Sequence, residues 1–327
     1  MIYRKHRFRL LSGGLLGILF LWISSRDVSW SEFLFSVKST DYALVLMAST
    51  FVLVGTLIRT WSWSRLYRST PVQVSFVRAW RILIIGQFIN IVVPARAGDV
   101  ARVFLIGEAS QMPKLTALTG LVLEKFFDMS ALVILLFVIS IQTELPEMLQ
   151  ETALFITCLT IVLAGLVFGV LYNLDRLEQY LSASEAVTKG WKHKFCSRCL
   201  SVLEGIRVLD RWPVTLLIQA GYLMTWCSLG SATYITMLAL GIDLPPVAAL
   251  VVVVVLQLGT AVPSTPGKVG VFQYLSVLAL GLFGVSGDVA LSYGIVLHFV
   301  SYGPILFLGV FGVWSEFSHL KQARLYD

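Results

Sequence analysis

Long runs of apolar residues, separated by short polar segments, follow one another along almost the whole chain. A helix needs about 20 residues to cross the hydrocarbon core of a bilayer, and most of the runs approach or exceed that length. They predict an all-α protein, a polytopic integral membrane helical bundle that forms a single membrane domain over residues 1–327. The run 82–94 is too short to cross unless polar flanks extend it. The runs lie at 10–24, 42–58, 82–94, 115–141, 152–172, 214–240, 246–262, 270–285 and 289–314.

Two of these runs end in the same kind of sequence. Residues 93–100 read VPARAGDV and residues 262–269 read VPSTPGKV, and matching positions are 169 residues apart, which indicates an internal duplication. Proline has no N–H for a helix and glycine tolerates turns, so we expect both helices to break there. Broken helices at matching places are typical of transport sites, and ordinary loops punctuated by proline are the alternative. The helix-breaking residues are Pro94, Gly98, Pro263, Pro266 and Gly267.

The charges between the runs predict which segments face the cytoplasm. Residues 1–9 and 59–81 are basic, whereas residues 142–151 carry only acidic charges. By the positive-inside rule, the two basic segments are cytoplasmic and the acidic one lies outside. The linker 173–213 and the C-terminal tail are also basic. We therefore expect both termini in the cytoplasm.

Counting the crossings between these loops gives two repeat units, 42–141 and 214–314, with opposite orientations in the membrane. Each unit contains one break, and the segments on either side of a break form either a re-entrant hairpin or two complete crossings. The linker 173–213 joins the units. Its amphipathic pattern suits a helix lying on the inner leaflet or a helix packed on the core.

The composition excludes an ordinary soluble domain. Apolar residues make up 57% of the chain, charged residues 13%, and the mean hydropathy is +0.81. The net charge is +6, and we attribute it to loops that stay in the cytoplasm, so it does not indicate a nucleic-acid partner. The basic start and the run 10–24 resemble a signal peptide, but so many further runs follow that we expect a retained helix. Cys196, Cys199 and His193 are one ligand short of a closed zinc site, so we expect no metal and no cofactor.

The run 115–141 contains two carboxylates on one helical face. Glu124 and Asp128 share that face with the small residues Ala117, Gly120 and Ala131. Acidic groups inside a membrane helix usually face the bundle interior and mark a pathway or a paired site. Lys125, three residues before Asp128, can neutralise that carboxylate, and Arg96 and Arg102 are the nearest candidates for Glu124. A structural ion-pair network and a functional role are both open, and they are compatible.

Basic residues lie at or just after both breaks. Arg96, Asp99 and Arg102 are spaced three apart, and Lys268 lies in the second break. Two arginines around one carboxylate leave a net positive charge, and a guanidinium offers a planar donor pair that matches phosphate oxygens. We expect these residues to bind a phosphate-bearing headgroup; the alternative for both arginines is snorkelling to the inner surface.

Two further polar residues fall in the second repeat. His298 could relay protons, or it could be a hydrogen-bonded core residue. Gln273 follows the second break and would line the cavity or hydrogen-bond a neighbouring helix. No nucleophile elbow, metalloprotease motif, Walker loop or dinucleotide motif is present in the sequence, so we expect a protein that is not an enzyme.

Three segments together resemble the lysylphosphatidylglycerol synthase transmembrane family, also described as flippase-like or UPF0104 membrane proteins. They are residues 94–102 (PARAGDVAR), 123–128 (LEKFFD) and 263–272 (PSTPGKVGVF). The resemblance spans nearly the whole chain. It implies that the polar signature positions of the family are Arg96, Asp99, Arg102, Glu124 and Asp128.

That family is similar to the membrane half of enzymes that attach amino acids to phosphatidylglycerol and move the product across the bilayer. We expect no soluble aminoacyl-transferase domain in this chain, so the resemblance implies lipid translocation or handling without synthesis. Where the family pattern continues from G-V-F to glutamate, this chain has Gln273. Coupling of transport to protons through that carboxylate is therefore in doubt.

These observations predict a flippase-like protein of the cell membrane that translocates or presents an anionic or phosphate-bearing lipid. One alternative is an intramembrane transferase for a lipid-linked substrate, with Glu124, Asp128 or His298 as the general base. Another alternative is an accessory subunit of a lipid-modifying enzyme. The expected partners are a membrane lipid and such an enzyme.

Overall fold

A computed structural model describes residues 22, 31, 35, 37–67, 72–93, 96–142, 147–260 and 266–323, without the side chains of 147–149, 266 and 316–323. Most of the first apolar run lies outside the described residues, and so do two of the helix-breaking prolines, Pro94 and Pro263. Every regular element in the described ranges is helical, which confirms the predicted class.

The first described helices correspond to the first repeat. α1 spans Tyr42–Arg65, α2 Phe76–Val92, α3 Ala97–Ala109 and α4 Lys114–Gln142. α2 begins in the polar flank of the short run 82–94, and this extension brings it to 17 residues. A long helix, two short helices around a break, and a second long helix therefore follow one another.

The next helices form the region between the repeats. α5 spans Glu147–Tyr172, α6 Leu174–Val187 and α7 Trp191–Ile206, and a 3-10 turn follows at Arg207–Asp210. α6 and α7 pack against each other as a hairpin, and α7 packs on α4. Leu203 and Leu209 are buried, so the apolar side of the linker faces protein rather than lipid.

The helices of the predicted second repeat unit show the same order of lengths as those of the predicted first unit. α8 spans Trp212–Ala239, α9 Pro246–Gly259, α10 Val271–Gly281 and α11 Gly287–Ala323, with a 3-10 turn at Pro266–Lys268 before α10. By length and composition, three segments of the described chain can each cross a membrane: α1, Gln150–Tyr172 and Gly287–Ser315. The opposite orientation of the repeats stays a prediction.

The described residues belong to two compact units. The first draws on residues 1–56, 83–100 and 227–327, and the second on 57–82 and 101–226. In the first unit, small and branched side chains of α1, α2, α8 and α11 form an apolar core. The buried members of that core are Ala48, Val52, Ile91, Ala232, Ile235, Val300 and Ile305.

In the second unit, the buried face of α4 is the structural centre. Ala117, Gly120, Glu124 and Ala131 all lie on it, which confirms the face predicted from their spacing. Phe127 on the same helix stacks on Tyr222 of α8, with ring centroids 5.9 Å apart. Aromatic packing and a row of small residues thus let neighbouring helices approach α4 closely.

Candidate functional site

The first break is built around an asparagine that the sequence analysis missed. Asn90 of α2 accepts the backbone N–H of Gly98 at 2.8 Å, and its side-chain nitrogen donates to Asp99 Oδ1 at 3.0 Å. It therefore satisfies an otherwise unpaired N–H at the start of α3. A Cβ added to Gly98 would overlap the carbonyl oxygen of Gly86, so only glycine allows this approach.

At each break, a cationic residue has a left-handed backbone conformation. Arg96 has a φ of 53° and Lys268 a φ of 58°. Within the described ranges the only other residue of this kind that is not glycine is Gln111. Such conformations are uncommon for residues with a Cβ and often occur at binding sites, where the surrounding structure imposes them.

The two cations lie in the same compact unit, Arg96 just before α3 and Lys268 just before α10. The Lys268 ammonium donates to Thr260 Oγ1 at 3.1 Å and lies 5.8 Å from the centroid of the Tyr302 ring. Among the described residues, neither cation forms an ion pair with a carboxylate. The site therefore carries uncompensated positive charge.

His298 ties α11 to the second break. Its Nε2 lies 2.8 Å from the carbonyl oxygen of Gly267, and because a carbonyl only accepts, Nε2 carries the proton of this hydrogen bond. The imidazole packs edge-on against Phe272 and Tyr302, at centroid distances of 5.0 and 4.8 Å. Its observed contacts are those of a hydrogen-bonded core residue that fixes the loop.

Gln273 caps its own helix. Its Oε1 accepts the N–H of Gly270 at 2.8 Å, and the side chain is buried. Gly270 has a φ of 86°, so the chain reverses sharply before α10 begins. A glutamate at this position could accept the same hydrogen bond and would also suit the positive end of the helix dipole.

In the second unit, Arg102 and Glu124 form a buried two-pronged ion pair. Arg102 Nη1 lies 3.1 Å from Glu124 Oε1, and Nη2 lies 2.6 Å from Oε2. The side chains are 4% and 1% exposed. The guanidinium also lies 4.5 Å from the centroid of the Trp63 ring. Arg102 is thus committed to a protein carboxylate and to an aromatic face.

Arg59 of α1 is the second cation of this network, and the sequence did not indicate it as a partner. Arg59 donates to Asp128, and its Nε lies 3.5 Å from Glu124 Oε1. Lys125 also contributes, since its Nζ lies 4.0 Å from Glu124 Oε1. The charge pattern places Arg59 in a basic loop, but it lies inside α1. The only sequence signal was its position beside an apolar run.

Several buried polar atoms near this network have no partner among the described residues. They include Asp128 Oδ1 and the hydroxyl of Tyr222, which is completely buried below the Arg59 guanidinium. The amide nitrogen of Gln219 is similar, although its oxygen accepts from Ser130 at 2.6 Å. Buried polar atoms without partners are rare, and ordered water or a bound polar group usually satisfies them.

The cysteine-containing segment of the linker forms no recognisable metal site. In the described part of the chain, no group of three or more histidine, cysteine or acidic side chains could hold a metal ion. Cys196 is buried, and His193 directs Nδ1 at the backbone oxygen of Glu185, 3.2 Å away.

Comparison with known proteins gives the family. One relative is a UPF0104 membrane protein of Methanocaldococcus jannaschii, which is 24% identical over 226 residues, covering 68% of this chain and 92% of that protein. Another is the glycosyltransferase AglD of Haloferax volcanii, 24% identical over 339 residues. The match covers 93% of this chain but 54% of AglD, so the chain spans about half of that relative. Residues 10–309 match the family described as the lysylphosphatidylglycerol synthase TM region, and the chain belongs to that family.

Proposed function

We propose that this protein translocates or presents a membrane lipid whose headgroup is anionic or carries a phosphate. The observation that supports this most strongly is the pair of cations at the two breaks, Arg96 and Lys268, which form no ion pair with a carboxylate of the described residues. An anion bound by both side chains would neutralise their charge.

The chemistry of the two side chains suits a phosphate. A guanidinium donates two parallel hydrogen bonds to phosphate oxygens, whereas an ammonium acts as a compact point charge. Arg96 is exposed and can reorient. Lys268 is held by Thr260 and by the aromatic face of Tyr302, so its charge has a fixed position. An exposed Arg96 and a Lys268 held by its contacts can therefore bind a headgroup and release it again.

The remaining predicted site residues receive supporting roles in this proposal. Asp99 helps to hold the start of α3 through Asn90, and Gln273 and His298 shape the second break. Arg102, Glu124 and Asp128 form the ion-pair network of the second unit. We therefore assign headgroup binding to Arg96 and Lys268, and scaffolding to Arg102.

Reconstituted vesicles test the proposal. Purified protein is placed in liposomes that contain fluorescent phosphatidylglycerol, and the fraction of label that becomes accessible on the opposite leaflet is followed over time. Arg96→Ala with Lys268→Ala should slow transfer by at least about tenfold, since each charge-assisted hydrogen bond contributes about 1.5–3 kcal/mol. Arg176→Ala, which removes an exposed cation of α6, is the matched control and should transfer normally. Normal transfer by the double variant would contradict the proposal.

Presentation of a lipid to an enzyme is a second candidate. It is favoured by the similarity to about half of a protein named as a glycosyltransferase. In that case the chain would hold a lipid-linked substrate for a transferase partner. Purified protein alone would then bind the lipid without moving it, and transfer would stay at the rate of empty vesicles for every variant.

We further propose a location in the cell membrane with both termini in the cytoplasm. The bias of basic and acidic loops supports this orientation. Reporter fusions at Glu147 and Lys192 test it, because the proposal places these residues on opposite sides. Reporters on the same side would contradict the inverted repeat.

A further inference from the structure

The turn between α6 and α7, together with the start of α7, forms a basic and aromatic surface. This surface has no role in the lipid transport proposed above. Between residues 185 and 198 nearly every side chain is exposed, and Trp191 and Phe195 are 73% and 57% exposed. Large exposed aromatic residues beside cations form an unusual surface for protein that faces only water. We call this surface the corner patch; its members are Lys189, Trp191, Lys192, Lys194, Phe195 and Arg198.

The other end of α7 is fixed to the beginning of α4. Thr116 donates to the carbonyl oxygen of Ser201 at 3.1 Å, and its hydroxyl lies 3.4 Å from Glu204. Gly205 packs so closely that an added Cβ would lie 2.7 Å from Thr119. α4 begins only a few residues earlier, so the second half of α7 is held beside the start of a long, mostly apolar helix. We expect the start of such a helix to lie near the membrane surface.

The corner patch lies within reach of the same membrane surface. Phe195 precedes Gly205 by ten residues, and a helix rises about 1.5 Å per residue, so the separation is about 15 Å along the helix. The apolar side that the sequence offered for membrane contact is buried against protein at Leu203 and Leu209. At the start of α7, the face that remains exposed is the aromatic and basic one.

The charge of the corner patch is not neutralised by the rest of the hairpin. Residues 185–198 contain four basic residues and one carboxylate, Glu185. The other two acids of α6 lie at the far end of the hairpin, where Arg207 pairs with Glu178 at 2.9 Å and with Asp175 at 3.4 Å. Glu204 faces Thr116. The positive charge is therefore available to an external anion.

We propose that the corner patch binds the anionic lipid headgroups of the leaflet that it faces. Trp191 and Phe195 would enter the headgroup layer, where aromatic side chains are stable, while the surrounding lysines and Arg198 contact lipid phosphates. This inference does not depend on Arg96 or Lys268. It makes the linker a sensor of membrane charge, whichever lipid the protein handles.

Hydrogen exchange of the full-length protein in nanodiscs tests the proposal. One set of nanodiscs contains only phosphatidylcholine, and the other contains equal parts of phosphatidylcholine and phosphatidylglycerol. Each basic residue near an anionic surface strengthens binding by roughly fivefold. We expect the backbone amides of residues 190–198 to exchange at least about fivefold more slowly in the anionic nanodiscs, and this protection to disappear at high salt.

Paired variants identify the residues responsible. Lys192→Gln with Lys194→Gln should abolish most of the difference between the two lipids. Lys38→Gln with Arg176→Gln removes the same charge from exposed positions outside the corner patch and should keep the difference. Equal exchange in both lipids for the unaltered protein would overturn the proposal. Equal loss in both double variants would also overturn it, because the effect would then be one of net charge.

Discussion

Arg102 and Glu124 hold each other through two parallel contacts, at 3.1 and 2.6 Å, in a part of the protein from which solvent is nearly excluded. Arg96, only six residues earlier in the sequence, is exposed and has no such carboxylate among the described residues. Two arginines of one motif therefore have different physical roles. One stabilises the fold, and the other is available to a ligand.

This division predicts different costs for removing the two side chains. Arg102→Ala leaves Glu124 charged and buried without its main partner, and breaking such a pair costs about 3–5 kcal/mol. We expect a sharp fall in the melting temperature and yield of the detergent-purified protein. Arg96→Ala, as the matched control, should change stability by no more than about 0.5 kcal/mol. Equal melting temperatures for both variants would contradict the assignment.

Part of this network could be predicted from the sequence. The spacing of Glu124 with Ala117, Gly120 and Ala131 indicates one helical face, because residues three and four apart share a side of a helix. Arg102, close to the first break, was a candidate partner of Glu124, and the structure pairs them. The choice of Arg59 as a partner depends on how α1 packs on α4, which no local pattern encodes.

At the breaks, too, local features could be predicted and tertiary contacts could not. Proline and glycine indicate where helices end, since their effects on the backbone are local. Asn90 gave no comparable signal, because its partners lie on the next helix and only the folded hairpin brings them together. Gln273 could have been predicted in part. A side chain that accepts the N–H of a residue three positions earlier is a local pattern, but the comparison with the glutamate of the family concerned only its charge.

The approach of α2 and α3 predicts a strict requirement for glycine at position 98. A methyl group there would overlap the Gly86 carbonyl and press on Asn90, and relief of that overlap requires the helices to separate. We expect Gly98→Ala to destabilise the protein by about 1–3 kcal/mol, as overpacking does elsewhere.

Gly165→Ala is the matched control for that change. Gly165 lies within α5, and apart from its own stretch of helix no atom of the described residues lies within 4 Å of the position that a Cβ would take. Replacing glycine by alanine inside a helix should leave stability unchanged or raise it by up to about 1 kcal/mol. Thermal unfolding of the two variants in one detergent compares them. A Gly98→Ala protein as stable as Gly165→Ala would contradict the close contact.

Two buried tyrosines provide a test of the unpaired polar atoms. The hydroxyl of Tyr293 donates to the carbonyl oxygen of Thr233 at 3.2 Å, whereas that of Tyr222 has no partner in the part of the chain that the structure describes. Both side chains are fully buried. Tyr293→Phe should cost about 0.5–1.5 kcal/mol, the usual net contribution of one hydrogen bond, and Tyr222→Phe should cost nothing.

The outcome for Tyr222 also reports on the interior of the second unit. A loss of stability equal to that of Tyr293→Phe would mean that the Tyr222 hydroxyl binds something other than protein, such as an ordered water. Thermal unfolding measured side by side for the two phenylalanine variants distinguishes these results. If Tyr222→Phe loses as much stability as Tyr293→Phe, the prediction that Tyr222→Phe leaves stability unchanged is wrong.

The central claim is that Arg96 and Lys268 together hold an anionic headgroup, and native mass spectrometry of the purified protein tests it most directly. The unaltered protein, released from detergent after incubation with equal amounts of phosphatidylglycerol and phosphatidylcholine, should retain phosphatidylglycerol preferentially. Arg96→Ala with Lys268→Ala should lose that preference, while Arg176→Ala should keep it. An unchanged preference for phosphatidylglycerol in the folded double variant would contradict the claim.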